Sequence, residues 1–153
     1  QKRRFADNLI STLYNTVSGK KIGFLGWAFK KDTNDTRESA AIYVADHLLN
    51  EQASIAVYDP KVSDSKIQSD LNYLNTRSED ATSPLLKASE TPYEALKDAH
   101  AVAIMTEWDE FKTYDWKKIY AEMKKPAFIF DGRNLLDKSE MEEIGFEYAS
   151  IGQ

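Results

Sequence analysis

A chain of 153 residues, 42% apolar and 29% charged, has the length and composition of one ordinary globular domain with a sizeable core. A net charge of −5 argues against a broad nucleic-acid or anionic-membrane surface, so any anion must be met by cations clustered locally. With no cysteine there is no disulfide, thiolate nucleophile or thiolate metal site, and two histidines, His47 and His100, leave little for a metal cluster or a histidine triad.

The chain starts at Gln1 directly in helical sequence, which reads as a piece of a longer polypeptide. No stretch approaches the ~20 apolar residues that span a bilayer and no signal peptide opens the chain, so a cytoplasmic setting is expected. Residues 3–17 put Phe5, Leu9, Leu13 and Val17 four apart, with Ile10 and Tyr14 beside them, which predicts one apolar helical stripe. Gly19 suits the position just past its end. Two readings stand side by side. The helix packs on its own domain, or residues 1–18 are the tail of a helix linking residues 19–153 to a preceding region.

Residues 20–39, KKIGFLGWAFKKDTNDTRES, are the stretch around which the rest is arranged. Residues 22–25 read as a buried strand ended by Gly26. The loop after it carries Lys30 and Lys31, and Asp35 or Thr36 is the expected cap of a helix with Arg37 and Glu38 in its first turn. In a parallel α/β sheet this turn lies at the carboxyl edge, where ligands bind, and a helix start adds free N–H groups and partial positive charge. The stretch reads as an anion site suited to nucleotide phosphates.

The next helix shows Ala41, Val44, Ala45 and Leu48 on one face, and residues 54–58, SIAVY, form a second strand closed by Asp59-Pro60. Strand, helix and strand within this length make a right-handed crossover. Residues 61–84 are polar and read as a surface excursion with at best a short helix near 66–74, to which no function is assigned. Residues 85–89 suit a short edge strand, and Thr91-Pro92 starts a helix. AVAIM (101–105), a helix over 116–123 broken by Pro126, the strand 127–130, a short helix near 139–143 and a last strand over 146–150 complete a Rossmann-like, doubly wound, mostly parallel sheet of about five to six strands with helices on both faces.

Against the dinucleotide fingerprint the first loop is only half a match. Gly23 and Gly26 are present without a tight G-x-G, Trp27 and Phe29 are bulky where a pyrophosphate needs close approach, and Asp59 stands where a ribose-binding acid belongs or simply makes a turn. Lys30 and Lys31 are loop charges or phosphate ligands. Phe29 is core, or a lid whose backbone touches a base or sugar. Arg133, past the strand 127–130, also falls at the carboxyl edge: it is a surface ion pair, or, if the sheet order brings that strand beside the first, it converges with Lys30 across one crevice and grips a phosphate through paired N–H donors. Glu107 and Asp109 are candidate acid–base or ribose-binding groups, whereas Trp108 and Phe111 are read as covering the sheet end. Nothing assembles a nucleophile with its base.

The blocks GKKIGFLGWAFKKDTNDTRES, VYDPKV, AVAIMTEWDEF and PAFIFDGRNLLD, in this order, resemble the C-terminal UDP-binding domain of the UDP-glucose/GDP-mannose dehydrogenase family, and RRFADNLISTLYNTV resembles the segment feeding into it. The resemblance implies a NAD-dependent enzyme that oxidises the C6 alcohol of UDP-glucose, or of a related UDP-sugar, to a carboxylate with two NAD⁺. It implies that Phe29, Lys30 and Arg133 contact the UDP-sugar and that Arg37 reaches towards NAD⁺. It further implies that an N-terminal Rossmann domain binds NAD⁺, that a central helical region makes the dimer, and that the catalytic cysteine lies in those other regions, so that this chain alone is inactive. Gly23, Trp27 and Asn34 depart from the family pattern but leave the charged positions intact. A stand-alone nucleotide-binding domain, and a domain that itself binds NAD⁺ in Rossmann fashion, are the rival readings.

Overall fold

The computed structural model describes residues 2–13, 16–32, 34–36, 39–73 and 86–150. The first apolar stripe folds as α1 (Lys2–Thr12), followed by β1 (Lys21–Leu25), α2 (Ala40–Asn50), β2 (Ser54–Tyr58) and α3 (Asp64–Tyr73). Then come β3 (Leu86–Ala88), α4 (Pro92–Leu96), β4 (Ala101–Ile104), a 3₁₀ helix over Asp109–Thr113, α5 (Trp116–Glu122), β5 (Phe128–Asp131), α6 (Lys138–Ile144) and β6 (Glu147–Ser150).

The strands form one six-stranded sheet in the order β3-β2-β1-β4-β5-β6, with every pairing parallel. The order reverses between β1 and β4, where Phe24 stands opposite Ala103. Side chains of β4 and β5 are buried throughout, as a parallel sheet covered on both faces requires. Helix contacts fall into two sets, α1 with α2 and α2 with α3, and α4 with α5 and α5 with α6, one set for each face. The short strand β3 is the edge that residues 85–89 predict.

Helix α1 belongs to this core. Phe5, Ala6, Leu9, Leu13 and Val17 are buried in it, each large side chain contributing about 1.5–3 kcal/mol. The helix is shorter than the stripe over 3–17 predicts: it ends at Thr12, so Gly19 does not terminate it and instead takes φ +76° in the turn that leads into β1.

Two further expectations are corrected. Helix α2 is capped by Ser39, whose side chain accepts from Ala41 N, and no acidic residue lies in its first turn. Several capping residues compete in DTRES, and the one adjacent to the apolar stripe prevails. Within 61–84, residues 64–73 do more than skim the surface, because α3 buries Ile67 and Leu71 beside Val62. A helix that is polar on average still docks when one face carries two aliphatic residues a turn apart. Residues 74–85 lie outside the described residues.

Candidate functional site

All strands run the same way, so the turns after β1, β2, β4 and β5 gather at one edge, the carboxyl edge, on either side of the switch point. Gly26 opens the β1 turn with φ +101°, and a Cβ there would stand 2.5 Å from Thr106, so only glycine lets the β1 and β4 turns close on each other. Thr106 Oγ1 donates to Ala28 O at 2.8 Å and ties the same two turns from the other side.

The β1 turn already holds an anion of its own. Asp59, buried at the end of β2, accepts at Oδ2 from Trp27 N (2.7 Å), Ala28 N (3.0 Å) and Trp108 Nε1 (3.1 Å). Its Oδ1 accepts from Lys61 N at 2.8 Å. These turn amides would cradle a pyrophosphate in a dinucleotide-binding domain, and here a carboxylate occupies them. The residues at this turn therefore do not fit a dinucleotide. Asp59 is a structural acid rather than a ribose ligand. Trp27 is fully buried, its indole N–H donating to Asp70 Oδ2 at 3.1 Å, while Asp70 also meets Lys66 at 3.2 Å.

Beyond Ala28 the loop turns outward. Phe29 is 43% exposed, so it is not core, and its N–H goes to Asp35 O at 2.6 Å. The lysine pair divides. Lys31 Nζ meets Asp109 Oδ2 at 3.5 Å, and Lys112 followed by Lys31 holds the Asp109 carboxyl below its usual range. Among the described residues no hydrogen bond or ion pair engages the exposed Lys30. Arg37 lies outside the described residues.

Arg133 stands past β5, and its Nη2 lies 2.9 Å from Glu107 Oε1 past β4. That oxygen is buried yet receives no well-aligned hydrogen bond, so the contact is an ion pair of poor N–H direction. The arginine is held from behind by Asp131, which is fully buried and accepts from Arg133 N (3.0 Å), Leu135 N (2.8 Å), Leu136 N (2.9 Å) and Tyr148 O–H (2.6 Å). Burial, then the Asp131 hydrogen bond and charge, push the Tyr148 phenol well above its usual range. Gly132 is needed for contact: a Cβ would lie 2.9 Å from the Phe5 ring and 3.1 Å from Ile104 O.

Two strands thus end in buried aspartates, each collecting the amides of a turn that presents a cation. In the sequence each reads as an ordinary Asp-Pro or Asp-Gly turn. The only hint of more is that both come after an uninterrupted apolar strand. Strand β4 lies between β1 and β5, so Lys30 and Arg133 flank the β4 turn instead of standing on neighbouring strands. Trp108 and Phe111 are buried and cover the sheet end as expected. His47 lies 3.7 Å from Asp7 between α2 and α1, and His100 accepts the Lys21 N–H at Nδ1 (3.2 Å), so neither faces the edge turns. A hollow of about 220 Å³ past β2 and β3 is lined by Asp59, Asp64 and Glu90 over Val57, Val62 and Ile67, a rim that repels anions. Among the described residues no cluster could hold a metal ion and no helix is long and apolar enough to cross a membrane.

Comparison with known proteins places these turns. The UDP binding domain of the UDP-glucose/GDP-mannose dehydrogenase family matches residues 23–138. The chain is 50% identical to a UDP-glucose 6-dehydrogenase of Mus musculus, over all of this chain and 31% of that protein. It is 49% identical to UDP-glucose 6-dehydrogenase 3 of Oryza sativa subsp. japonica, over all of this chain and 34% of that protein. The chain therefore spans about a third of the length of these curated relatives. Among solved structures, a UDP-glucose dehydrogenase of Pyrobaculum islandicum superposes with a TM-score of 0.69 at 25% identity, over 97% of this chain and 29% of that one. An NDP-N-acetyl-D-galactosaminuronic acid dehydrogenase of Methanosarcina mazei Go1 gives 0.71 at 28% identity, over 99% and 28%.

Proposed function

Since the chain belongs to the UDP-glucose/GDP-mannose dehydrogenase family through its UDP binding domain, we propose that it grips the UDP end of UDP-glucose for an enzyme that oxidises the sugar to UDP-glucuronate with two NAD⁺. The observation that carries the reading is a division of cations at the carboxyl edge. Lys30 is unengaged among the described residues, while its neighbour Lys31 is paired, and Arg133 stands across the β4 turn on a loop fixed by Asp131. A diphosphate between the β1 and β5 turns would meet an ammonium from one side and a planar guanidinium from the other. The exposed ring of Phe29 suits the sugar or base.

On this reading residues 1–18, which carry α1, are the end of a linking segment from the preceding region, and residues 19–153 are the nucleotide-sugar half of a longer, oligomeric, cytoplasmic protein. NAD⁺ and the catalytic groups come from the rest of that polypeptide, in keeping with the carboxylate that fills the β1 turn here. Arg37 is the residue proposed to reach towards NAD⁺. Binding energy from the UDP end, remote from C6, would hold the reacting carbon in place and show in kcat as well as KM.

The test is calorimetric titration of the full-length protein with UDP. Lys30→Ala and Arg133→Ala should each raise the Kd by about ten-fold or more, the loss of one charge-assisted contact, and leave NADH binding unchanged. Wild-type UDP affinity in both variants would refute the assignment.

A further inference from the structure

We propose that Asp59, which touches no ligand in this scheme, is a positioning residue that sets Lys30 in place for the nucleotide; the inference rests on the UDP-binding reading above. Its carboxylate accepts from both turns that flank the switch point. Oδ2 takes the N–H groups of Trp27 and Ala28, the latter two residues before Lys30. The same oxygen takes the indole N–H of Trp108, the residue after the Glu107 that meets Arg133. Oδ1 takes Lys61 N, so all four N–H donors converge on one buried carboxylate.

Chemically, this arrangement reverses the usual division of labour at such a turn. Where a ligand phosphate occupies the amides, the loop is ordered by the ligand and loosens without it. Here the anion is internal and permanent, so the β1 turn is ordered beforehand and binding need not order it. The carboxylate also decides which ligand surface is read. With the Trp27 and Ala28 amides occupied, a diphosphate at this turn is met by the Lys30 amine just beyond them. An asparagine at 59 has one neutral acceptor and would turn its amide N–H₂ towards either Lys61 N or the turn amides, donor against donor. The turn would loosen where Lys30 begins.

The test is a double-mutant cycle in the full-length protein, with UDP as the calorimetric probe and steady-state kinetics beside it. Asp59→Asn should raise the UDP Kd and the KM for UDP-glucose by roughly five- to ten-fold, equivalent to one lost hydrogen bond of ordinary net strength, with the KM for NAD⁺ unchanged. In a Lys30→Ala background the same exchange should raise the Kd by clearly less, since no amine is left to position. Equal effects in both backgrounds, or none in either, overturn the proposal. An unchanged Kd in Lys30→Ala would overturn the proposal as well, and unchanged Kd values in both Lys30→Ala and Arg133→Ala the UDP-binding reading itself. Should Asp59→Asn not fold, Trp108→Phe keeps the ring bulk and removes only one donor to Asp59. A raised UDP Kd there supports the bridge, and an unchanged one overturns it.

Discussion

The guanidinium of Arg133 and the carboxylate of Glu107 stand 2.9 Å apart across the ends of two adjacent strands, β5 and β4. The pair leaves the site with an acid where a diphosphate is proposed to sit. Glu107→Gln keeps an oxygen that can accept from Arg133 while removing one negative charge facing the ligand. Two like charges about 4 Å apart near a surface oppose each other by ~1–4 kcal/mol. We expect the UDP Kd of this variant to fall by about three- to ten-fold, with a larger gain at low ionic strength. Titration at two salt concentrations checks it. Weaker binding would mean that the Glu107 charge is needed to aim the arginine or to hold a ribose hydroxyl.

The adjacent lysines should separate cleanly. Lys31 belongs to an exposed ion pair with Asp109 at 3.5 Å, of a kind that contributes about 0–1 kcal/mol. Lys31→Ala should therefore leave the UDP Kd within about two-fold of wild type, against the ten-fold loss expected at Lys30. Equal losses at the two positions would show that the edge attracts the nucleotide by general charge, without a built contact.

Period and punctuation made most of this fold legible beforehand. Each apolar run bounded by Gly, Pro or Asp became a strand within a residue or two, and Thr91-Pro92 marked α4 because a cap and a fixed φ act locally. The cap of α2 was misplaced because Asp35, Thr36 and Ser39 are all competent, and only packing of Ala41 and Val44 decides among them. The cations were legible as candidates, and their partners were not. Nothing in the KK pair tells which lysine meets Asp109, far along the chain. Asp59 and Asp131 were hidden because a buried carboxylate and a solvent-facing turn share one sequence pattern, and the difference lies in donors arriving from other strands. The need for glycine at 23 is tertiary too: a Cβ there would stand 2.4 Å from Leu96 of α4.

Glycine at 26 should be far more sensitive than glycine at 19, although both have positive φ. Alanine at 19 meets nothing within 4 Å, so only backbone strain of about 1 kcal/mol is expected. Alanine at 26 adds contacts of 2.5 Å to the Thr106 side chain and 2.6 Å to its backbone nitrogen, and backbone cannot step aside. Gly26→Ala should lose about 3 kcal/mol or more. Urea denaturation of both variants gives the comparison, and a loss at 26 no larger than at 19 would show that the β1 and β4 turns are not locked together.

Tyr148 reports on the turn behind Arg133. Its hydroxyl is buried on the last strand and donates to Asp131 Oδ2 at 2.6 Å. Tyr148→Phe leaves a buried carboxylate short of one donor, a loss of about 1.5–3 kcal/mol. Burial and Asp131 push this phenol far up, and burial with Glu110 does the same for Tyr114, so both should stay un-ionised in spectrophotometric titration until the protein unfolds in alkali, and Tyr148→Phe should lower that count by one. A variant that unfolds in alkali with the same count of late-titrating tyrosines would remove Tyr148 from that role.

The domain should also weaken in mild acid, and His100 supplies the reason. Its ring accepts the Lys21 N–H at Nδ1, a lone pair that exists only on the unprotonated nitrogen. Burial, then the charges of Lys20 and Lys124, lower its pKa below the usual 6.5. The unfolded chain therefore binds this proton more readily than the folded one. Stability from the neutral ring is complete above the unfolded pKa and is lost as the pH falls through the lower, folded value. His100→Asn keeps an acceptor near the Nδ1 position and cannot titrate. Between about pH 7.5 and 5.5 the urea midpoint of wild type should fall more than that of the variant, starting near the unfolded histidine pKa. Parallel falls in the two proteins would assign the acid sensitivity to the carboxylates instead.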